Sequence, residues 1–257
     1  MTKSERCLRI LELLQEQEKV EVADLAEKFQ TSEMTIRRDL GFLSSQYNIK
    51  RVYGGATLVQ SGLPVIRDVS FDEDRIKNKD KKEIIAKKAA SLIQPRQRIF
   101  IDAGSTTRAI ADYLTDTFNN VVVSNNIKVV EKCLEYEKVS TIMIGGEMIR
   151  ISGCSSGATA EEQIKQYKLD MAFIGAAAVG ADGKLYDGYS PEARLKTFLF
   201  DSADKIYLLV DSSKFNTYDL NEFALLEKVT AVITDNMITE EGRQLLKKYH
   251  TDIIIAE

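Results

Sequence analysis

Residues that build reactive sites are scarce in this sequence, which has one histidine and three cysteines in 257 residues. The cysteines, Cys7, Cys133 and Cys154, lie far apart, and no CxxC pair occurs. A disulfide framework or a zinc site needs clustered cysteines or histidines, so both are disfavoured. His250 lies in a peripheral KKYHTD segment, a poor place for the base of a Ser-His-Asp triad. We therefore expect no metal, no cofactor and no Ser-His-Asp triad, and we interpret the cysteines as buried bystander thiols.

Long apolar runs are absent as well. No stretch approaches the roughly 18 apolar residues that a membrane-spanning helix needs. The N-terminal stretch MTKSERCLRILELL is charged and amphipathic, unlike a signal peptide. We therefore expect a cytoplasmic protein. Its length, with 44% apolar and 29% charged residues, is typical of a globular chain of two domains.

Neither sign of charge is in large excess, since the net charge is −4. The distribution is more informative. Within residues 28–51, five basic residues oppose two acidic ones, which gives a local charge of +3. A modest positive patch on an otherwise acidic protein suits a sequence-selective nucleic-acid binder, because the acidic remainder discourages indiscriminate binding to phosphate.

Three helices are predicted in the first sixty residues, over 4–17, 21–29 and 33–43. The third has apolar residues at i, i+4 and i+7 from Ile36, which predict its core face. Thr31 or Ser32 can cap its first turn. Arg38 falls opposite the core face. Such a free face suits the major groove, where an arginine can bind guanine with two hydrogen bonds and a threonine methyl can contact thymine.

A two-stranded wing is predicted to follow, over 47–58. Its Lys50 and Arg51 are placed for phosphates or the minor groove, and Gly54 and Gly55 permit a tight backbone. Two alternatives stay open: the arginine pair of the third helix solvates a surface, or the domain binds protein or RNA. The candidate DNA-contacting residues are Ser32, Met34, Thr35, Arg37, Arg38, Lys50, Arg51 and Tyr53.

Residues 60–75 hold one of three prolines and no clear periodicity, so we interpret them as a linker. It separates a winged helix-turn-helix domain, 1–59, from a second domain, 76–257, which opens with a charged helix over Lys79 to Leu92. Short apolar strands then alternate with helices, which predicts an α/β domain with a mainly parallel sheet covered on both faces. The candidate strands are Arg98–Asp102, Asn120–Ser124, Ser140–Ile144, Met171–Ile174, Lys205–Val210, Ala231–Thr234 and Asp252–Ile255.

Ligands of such sheets bind at the carboxyl ends of the strands. After the first strand, a glycine turn leads to hydroxyl residues at a helix start, which can cradle a phosphate; the alternative is a capped turn without a ligand. Lys214 can reach a phosphate, Asp211 can bind hydroxyls or position that lysine, and Glu192 can accept sugar hydroxyls or favour its helix start. The candidate effector-binding residues are Asp102, Gly104, Ser105, Thr106, Thr107, Asn125, Gly145, Gly146, Gly175, Glu192, Asp211 and Lys214.

Motifs in both halves resemble the DeoR family of bacterial transcription factors. SEMTIRRDL and RVYGGA resemble its DNA-binding domain, although Tyr53 stands where the family more often has histidine. IDAGSTT, VVSNN, GGE, FIGAAAV, PEARLK and VDSSKF resemble its sensor domain, which is similar in fold to ribose-5-phosphate isomerase and CoA-transferase proteins.

The resemblance implies a repressor of a sugar-metabolism operon, bound to a double-stranded DNA operator and relieved by a phosphorylated sugar. The effector would lie over residues 104–107 with Lys214 nearby. Operator symmetry adds the expectation of a homo-oligomer, a dimer or tetramer.

An active sugar-phosphate isomerase with an appended nucleic-acid-binding domain is the alternative, with Glu192 as its base. Isomerases of this fold carry a lysine- and glycine-rich loop and paired aspartates before the glutamate. The corresponding residues 183–189 have neither a glycine run nor an aspartate pair. We therefore expect a regulator and not an enzyme.

Overall fold

The computed structural model describes residues 6–7, 9–10, 13–14, 17, 19–46, 49–52, 54–58, 78–116, 119–150 and 152–257. The chain divides into two compact units, Met1–Ile76 and Lys77–Glu257. The predicted linker, 60–75, lies outside the described residues. Of the helices in the described ranges, none combines the length and apolar character required to cross a bilayer.

The N-terminal unit combines helices with a small antiparallel sheet. The described residues between 6 and 17 are helical. The other elements are β1 (Lys19–Glu21), α1 (Val22–Lys28), α2 (Glu33–Gln46), β2 (Ile49–Val52) and β3 (Gly55–Leu58). β3 pairs with β2 on one side and with β1 on the other. The helices and hairpin agree with the sequence prediction, whereas β1 was not predicted, because three residues carry no periodicity of their own.

Gly55 permits the pairing of β1 with β3. A Cβ atom at Gly55 would lie 2.0 Å from the Val20 carbonyl oxygen, so no other residue fits there without moving the backbone. Gly54 has a positive φ of 81° and forms the turn. The two glycines that were predicted as one tight turn therefore have separate roles.

One apolar core holds the N-terminal unit together. The i, i+4, i+7 face of α2 is buried as predicted, with Ile36, Leu40 and Leu43 at most 1% exposed. Arg6 Nε also pairs with the buried carboxylate of Asp39 over 2.6 Å. The other buried apolar residues of this core are Cys7, Ile10, Leu14, Val20, Val22, Leu25 and Ala56. One side of α2 is thus fixed, and its opposite side faces solvent.

The C-terminal unit is built on twelve strands and six helices in its described residues. The strands are β4 (Arg98–Ile101), β5 (Val121–Ser124), β6 (Ser140–Met143), β7 (Glu147–Ile149), β8 (Cys154–Ser156), β9 (Met171–Gly175), β10 (Ala178–Val179), β11 (Lys184–Asp187), β12 (Ile206–Leu209), β13 (Asn221–Leu225), β14 (Ala231–Asp235) and β15 (Asp252–Ala256). The helices are α3 (Lys79–Ala90), α4 (Ser105–Arg108), α5 (Ile127–Cys133), α6 (Ala158–Ile164), α7 (Ser190–Ser202) and α8 (Glu240–Lys248).

Seven of these strands form one parallel sheet in the order β15-β14-β12-β9-β4-β5-β6. They are the seven strands predicted from the sequence, within one residue at each end. This agreement confirms the predicted parallel α/β sheet. The apolar runs were informative because a parallel sheet is buried on both faces.

Apolar side chains alternate between two cores, one on each face of the sheet. Phe100 and Val123 pack in the core that includes Leu199 of α7. Ile101 packs in the other core with Ile85 of α3. The strand ends therefore emerge between α7 on one face and α3 on the other.

Smaller elements were not predicted. β7 and β8 form a hairpin, and β10, β11 and β13 form an antiparallel sheet. The helix predicted after β4 is also shorter than expected, because α4 ends at Arg108 and a 3-10 turn spans Ala109–Tyr113. These segments are two to five residues long, and in most of them polar residues interrupt the apolar run that identifies a buried strand.

Candidate functional site

Helix α2 presents the predicted DNA-contacting face to solvent. Met34 is 68% exposed, Arg38 is exposed and Thr35 is half-buried. Arg37 pairs with Glu33 over 2.8 Å, one turn earlier on the helix. No ion pair found among the described residues includes Arg38. Its guanidinium is therefore available for a phosphate or a base edge.

Ser32 caps the start of this helix. Its Oγ accepts a hydrogen bond from the Thr35 N–H over 3.2 Å and lies 2.9 Å from Thr35 Oγ1. Lys50 and Arg51 lie on β2, but their side chains, and all of Tyr53, are outside the described part of the chain. The predicted contacts of the wing thus stay predictions.

In the C-terminal unit, the ends of β4 and β9 meet. The Gly175 N–H donates to Asp102 Oδ2 over 2.9 Å. The Thr107 hydroxyl donates to the carbonyl oxygens of Asp102 and Gly104, each over 2.9 Å. Thr107 therefore closes the turn, and Ser105 with its neighbour Thr106 starts a helix whose first N–H groups have no helical acceptor.

Lys196 lies beneath this turn and was not among the predicted site residues. It is 4% exposed, and its Nζ contacts the Gly175 carbonyl at 2.9 Å, Asp187 Oδ2 at 2.6 Å and Asp102 Oδ2 at 3.1 Å. Burial alone lowers the pKa of Lys196, but Asp102, Asp187 and Glu192 raise it above its ordinary value. The ammonium thus donates two hydrogen bonds, to Gly175 and Asp187, and forms an ion pair with Asp102.

Glu192, in the first turn of α7, accepts a hydrogen bond at Oε1 from the Cys154 thiol over 3.1 Å. Burial and the nearby Asp187 raise the pKa of Glu192, although Lys196 opposes this shift. Burial and Glu192 likewise raise the pKa of Cys154. Cys154 is thus part of the site, contrary to the prediction of bystander thiols; Cys133 is buried, which raises its pKa to about 12.

Asn125 follows β5 and is 1% exposed. Its Nδ2 donates to the Ser155 carbonyl over 3.1 Å. Its Oδ1 is buried without a hydrogen-bond partner in the described structure. Buried polar atoms without a partner are uncommon in native proteins, so Asn125 Oδ1 is a candidate acceptor for a ligand.

The paired glycines after β6 are explained by packing. Gly146 has a φ of 136°, and a Cβ atom there would lie 2.4 Å from the Ser156 carbonyl oxygen. The Gly145 N–H donates to Gln163 Oε1 over 2.6 Å. These contacts join β7, β8 and α6 and give the two glycines a structural role.

Asp211 follows β12 and is buried. Asp211 Oδ1 accepts hydrogen bonds from Asn78 Nδ2 at 3.1 Å and from the Ser213 N–H at 2.9 Å. Asp211 is thus tied to the residue before α3, and its carbonyl oxygen accepts a hydrogen bond from the Lys214 N–H over 3.0 Å. β9 separates β12 from β4 in the sheet, so the two strand ends are about 10 Å apart.

Sequence reasoning therefore found Asp102, Gly175 and Glu192 but missed Lys196 and Asp187. Lys196 is one helical turn after Glu192 in the PEARLK motif. That spacing places both side chains on the same side of α7. This spacing could have indicated Lys196 from the sequence, but it does not identify Asp102 and Asp187, the carboxylates that neutralise the lysine.

Comparisons with known proteins agree with both units. Residues 6–62 match the DeoR-like helix-turn-helix domain, and residues 77–236 match the DeoR C terminal sensor domain. The glycerol-3-phosphate regulon repressor of Escherichia coli (strain K12) is 31% identical, over 98% of this chain and 99% of the relative. The HTH-type transcriptional regulator GlpR of Haloferax volcanii is 29% identical, over 99% and 98%.

Ribose 5-phosphate isomerase A of Methanocaldococcus jannaschii is similar to 54% of this chain and 55% of its own, with 21% identity and a TM-score of 0.39. That likeness decides nothing about a ligand. The two domain matches define the class of protein, a transcriptional regulator with a DNA-binding and a sensor domain. More specifically, the chain belongs to the DeoR family.

Proposed function

We propose that this protein represses an operon of sugar metabolism and that a phosphorylated sugar releases it from its operator. It acts in the cytoplasm as a homo-oligomer, a dimer or tetramer, on double-stranded DNA. Residues 1–59 bind DNA, 60–75 link the domains and 76–257 sense the effector. The relative that is named a glycerol-3-phosphate regulon repressor supports this assignment.

The exposed, unpaired Arg38 carries the DNA-binding half of the proposal. Buried Leu40 and Asp39 fix α2, so Arg38, Met34 and Thr35 are held on a rigid helix for the major groove. Arg37 exchanges its ion pair with Glu33 for a contact with the adjacent DNA phosphates. Ser32 caps the helix. Lys50, Arg51 and Tyr53 of the wing contact the flanking backbone.

In the effector half, the phosphate binds the N–H groups and hydroxyls of Ser105 and Thr106, next to Gly104. Asp102, Asn125 and Glu192 bind the sugar, and Gly175 allows it to approach the backbone. Thr107, Gly145 and Gly146 shape the site from behind. Asp211 and Lys214 lie at its far edge and contact only a ligand long enough to cross β9.

The effector acts through linkage. A ligand changes DNA affinity only if it binds the DNA-competent arrangement and the alternative with different affinity. We propose that the bound sugar phosphate changes the spacing of paired α2 helices, which must match half-sites about one helical turn apart. Binding of the effector therefore lowers the affinity for DNA and releases the protein from its operator.

No catalytic turnover is part of this proposal. The relatives are transcriptional regulators, and Lys196 already pairs with two carboxylates of the protein, those of Asp102 and Asp187. The competing function is an isomerase with Glu192 as its base. Isomerisation of any sugar phosphate by the purified protein, abolished by Glu192→Gln, would establish that function instead.

Footprinting on the chain's own promoter region tests the DNA-binding half. Arg38→Ala is expected to weaken binding by about 1–3 kcal/mol and to relax base preference. Lys228→Ala, which removes an exposed lysine of the sensor unit, is the matched control and should bind like wild type. Protection no stronger than on random duplex would reject sequence-specific binding. Release of the bound promoter by one member of a sugar-phosphate panel tests the effector half.

A further inference from the structure

Asp102 and Asn125 occupy neighbouring positions on one face of the sheet. Ile101 pairs in register with Ser124, so the next residues, Asp102 and Asn125, emerge side by side from β4 and β5. Phe100, two residues before Asp102, and Val123, two before Asn125, both pack in the core under α7. Because strand side chains alternate, Asp102 and Asn125 face α7 as well.

Helix α7 supplies the remaining polar groups of this corner. Glu192 accepts a hydrogen bond from the Cys154 thiol. The backbone of Cys154 forms an isolated antiparallel β-bridge with Asn126, the neighbour of Asn125. Lys196 contacts Asp102 directly. The three side chains Asp102, Asn125 and Glu192, here named the acceptor cluster, therefore surround one strand-end site.

Several oxygens of the acceptor cluster accept no hydrogen bond within the described part of the protein. In the described structure no hydrogen bond uses Asp102 Oδ1 or Glu192 Oε2, and Asn125 Oδ1 is buried without a partner. Lys196 donates hydrogen bonds to Gly175 and Asp187 and forms an ion pair with Asp102, so its charge is already matched by protein carboxylates. The site thus offers acceptors and lacks a free cation.

The charge balance has the same consequence. Asp102 and Asp187 contribute two negative charges against the single positive charge of Lys196, so one negative charge is uncompensated before Glu192 is counted. Protonation of Glu192 does not change that balance. A ligand hydroxyl finds acceptors here, whereas a ligand carboxylate meets like charge in a buried site, where repulsion is strong.

We propose that the acceptor cluster binds the hydroxyl end of an uncharged sugar or polyol chain and rejects a carboxylate at that end. The effectors are then polyol or sugar phosphates, and phosphorylated sugar acids are excluded. This inference rests on the proposed function, because it assumes that the phosphate of the ligand binds the neighbouring turn after β4.

The test uses ligand pairs that differ only in a terminal CH2OH or carboxylate. They are glycerol 3-phosphate with 3-phosphoglycerate, ribitol 5-phosphate with 5-phosphoribonate, and glucitol 6-phosphate with 6-phosphogluconate. Binding to the full chain is measured by calorimetry. In every pair that binds, the alcohol is expected to bind at least about tenfold more tightly than the acid, as sites of matched hydrogen-bonding groups discriminate.

Asp187→Asn isolates the charge effect. The asparagine keeps an acceptor oxygen for Lys196 and removes the uncompensated negative charge, so the preference for the alcohol should fall by about tenfold. Asp252→Asn is the matched control, because Asp252 is an exposed residue at the start of β15. That variant should keep the wild-type preference.

Three outcomes overturn the inference. The acid binds as well as the alcohol in wild type, the preference is equal in Asp187→Asn and Asp252→Asn, or no member of any pair binds. Binding without discrimination rejects this inference alone. Failure of every phosphorylated ligand to bind or to release DNA rejects the effector half of the proposed function with it.

Discussion

The Cys154 thiol donates a hydrogen bond to Glu192 Oε1 over 3.1 Å and thereby joins the β7–β8 hairpin to helix α7. Ser152 Oγ lies 2.7 Å from the same sulfur. Cys154 is fully buried, and burial keeps it a thiol by raising its pKa. The bond therefore holds Glu192 in the strand-end site, where burial and Asp187 raise the pKa of its carboxyl group.

Stability should depend on pH through Glu192. Its pKa is raised in the folded chain above the ordinary 4.5 by burial and by Asp187. A raised folded pKa gives stability that is complete below the unfolded pKa and is lost as pH rises through the folded value. As the pH rises, the free energy of unfolding of Glu192→Gln should therefore increase relative to that of wild type. Urea unfolding of both proteins at several pH values measures this difference; a constant difference would contradict the prediction.

Removing Lys196 should destabilise the sensor unit strongly. Lys196→Met leaves the buried Asp102 and the half-buried Asp187 without their shared cation, which costs about 3–5 kcal/mol. The control is Lys184→Met, because Lys184 pairs with Glu222 at the surface, where an ion pair contributes about 0–1 kcal/mol. Denaturant unfolding of the full chain compares the two. Equal decreases in the free energy of unfolding would mean that the buried ion pairs of Lys196 stabilise the unit no more than an exposed ion pair does.

Gly146 should tolerate no side chain. Gly146→Ala forces an L residue to a φ of 136° and places its Cβ against the Ser156 carbonyl oxygen, so a loss above about 2 kcal/mol is expected. The adjacent Gly145→Ala is the control, since its Cβ would meet only the end of the Gln163 side chain, at 3.4 Å. Thermal unfolding separates the two, and a ranking of Gly145→Ala below Gly146→Ala in melting temperature would refute the argument.

The buried ion pair of the N-terminal unit should matter more for stability than the exposed pair on the same helix. Asp39→Ala leaves the largely buried Arg6 without its partner, at a cost of about 3 kcal/mol. Glu33→Ala removes only the exposed partner of Arg37 and should cost less than about 1 kcal/mol. Loss of helical circular dichroism with denaturant gives both values. Similar values for the two variants would show that the Arg6–Asp39 pair does not anchor α2.

The parallel sheet was predictable because its seven strands are short apolar runs that alternate with helices. The core face of α2 was predictable for a related reason, since Ile36, Leu40 and Leu43 repeat with the helical period. Both patterns arise because buried positions are apolar, so the spacing of apolar residues in the sequence identifies them directly. The minor antiparallel strands escaped prediction because they are only two to five residues long and most of them, such as β11, mix apolar with polar residues.

The strand-end site was predictable only in part. Position after a strand indicated Asp102 and Gly175, but pairing between distant segments decides which charges meet. Lys196 of α7 is neutralised by Asp102, which follows β4, and by Asp187 at the end of β11. Asp211 was assigned to the same site on position alone, yet its oxygen is taken by Asn78. Such partners depend on tertiary contacts that a linear pattern does not encode.

The pairing of β1 with β3 limits where a segment moved into a chimeric regulator can begin. A transplant that begins at Val22 includes both helices α1 and α2 and the wing, yet it omits the strand that covers one edge of β3. The open edge would then offer unpaired backbone groups to any passing chain, a known route to aggregation. A donor fragment should accordingly start before Lys19.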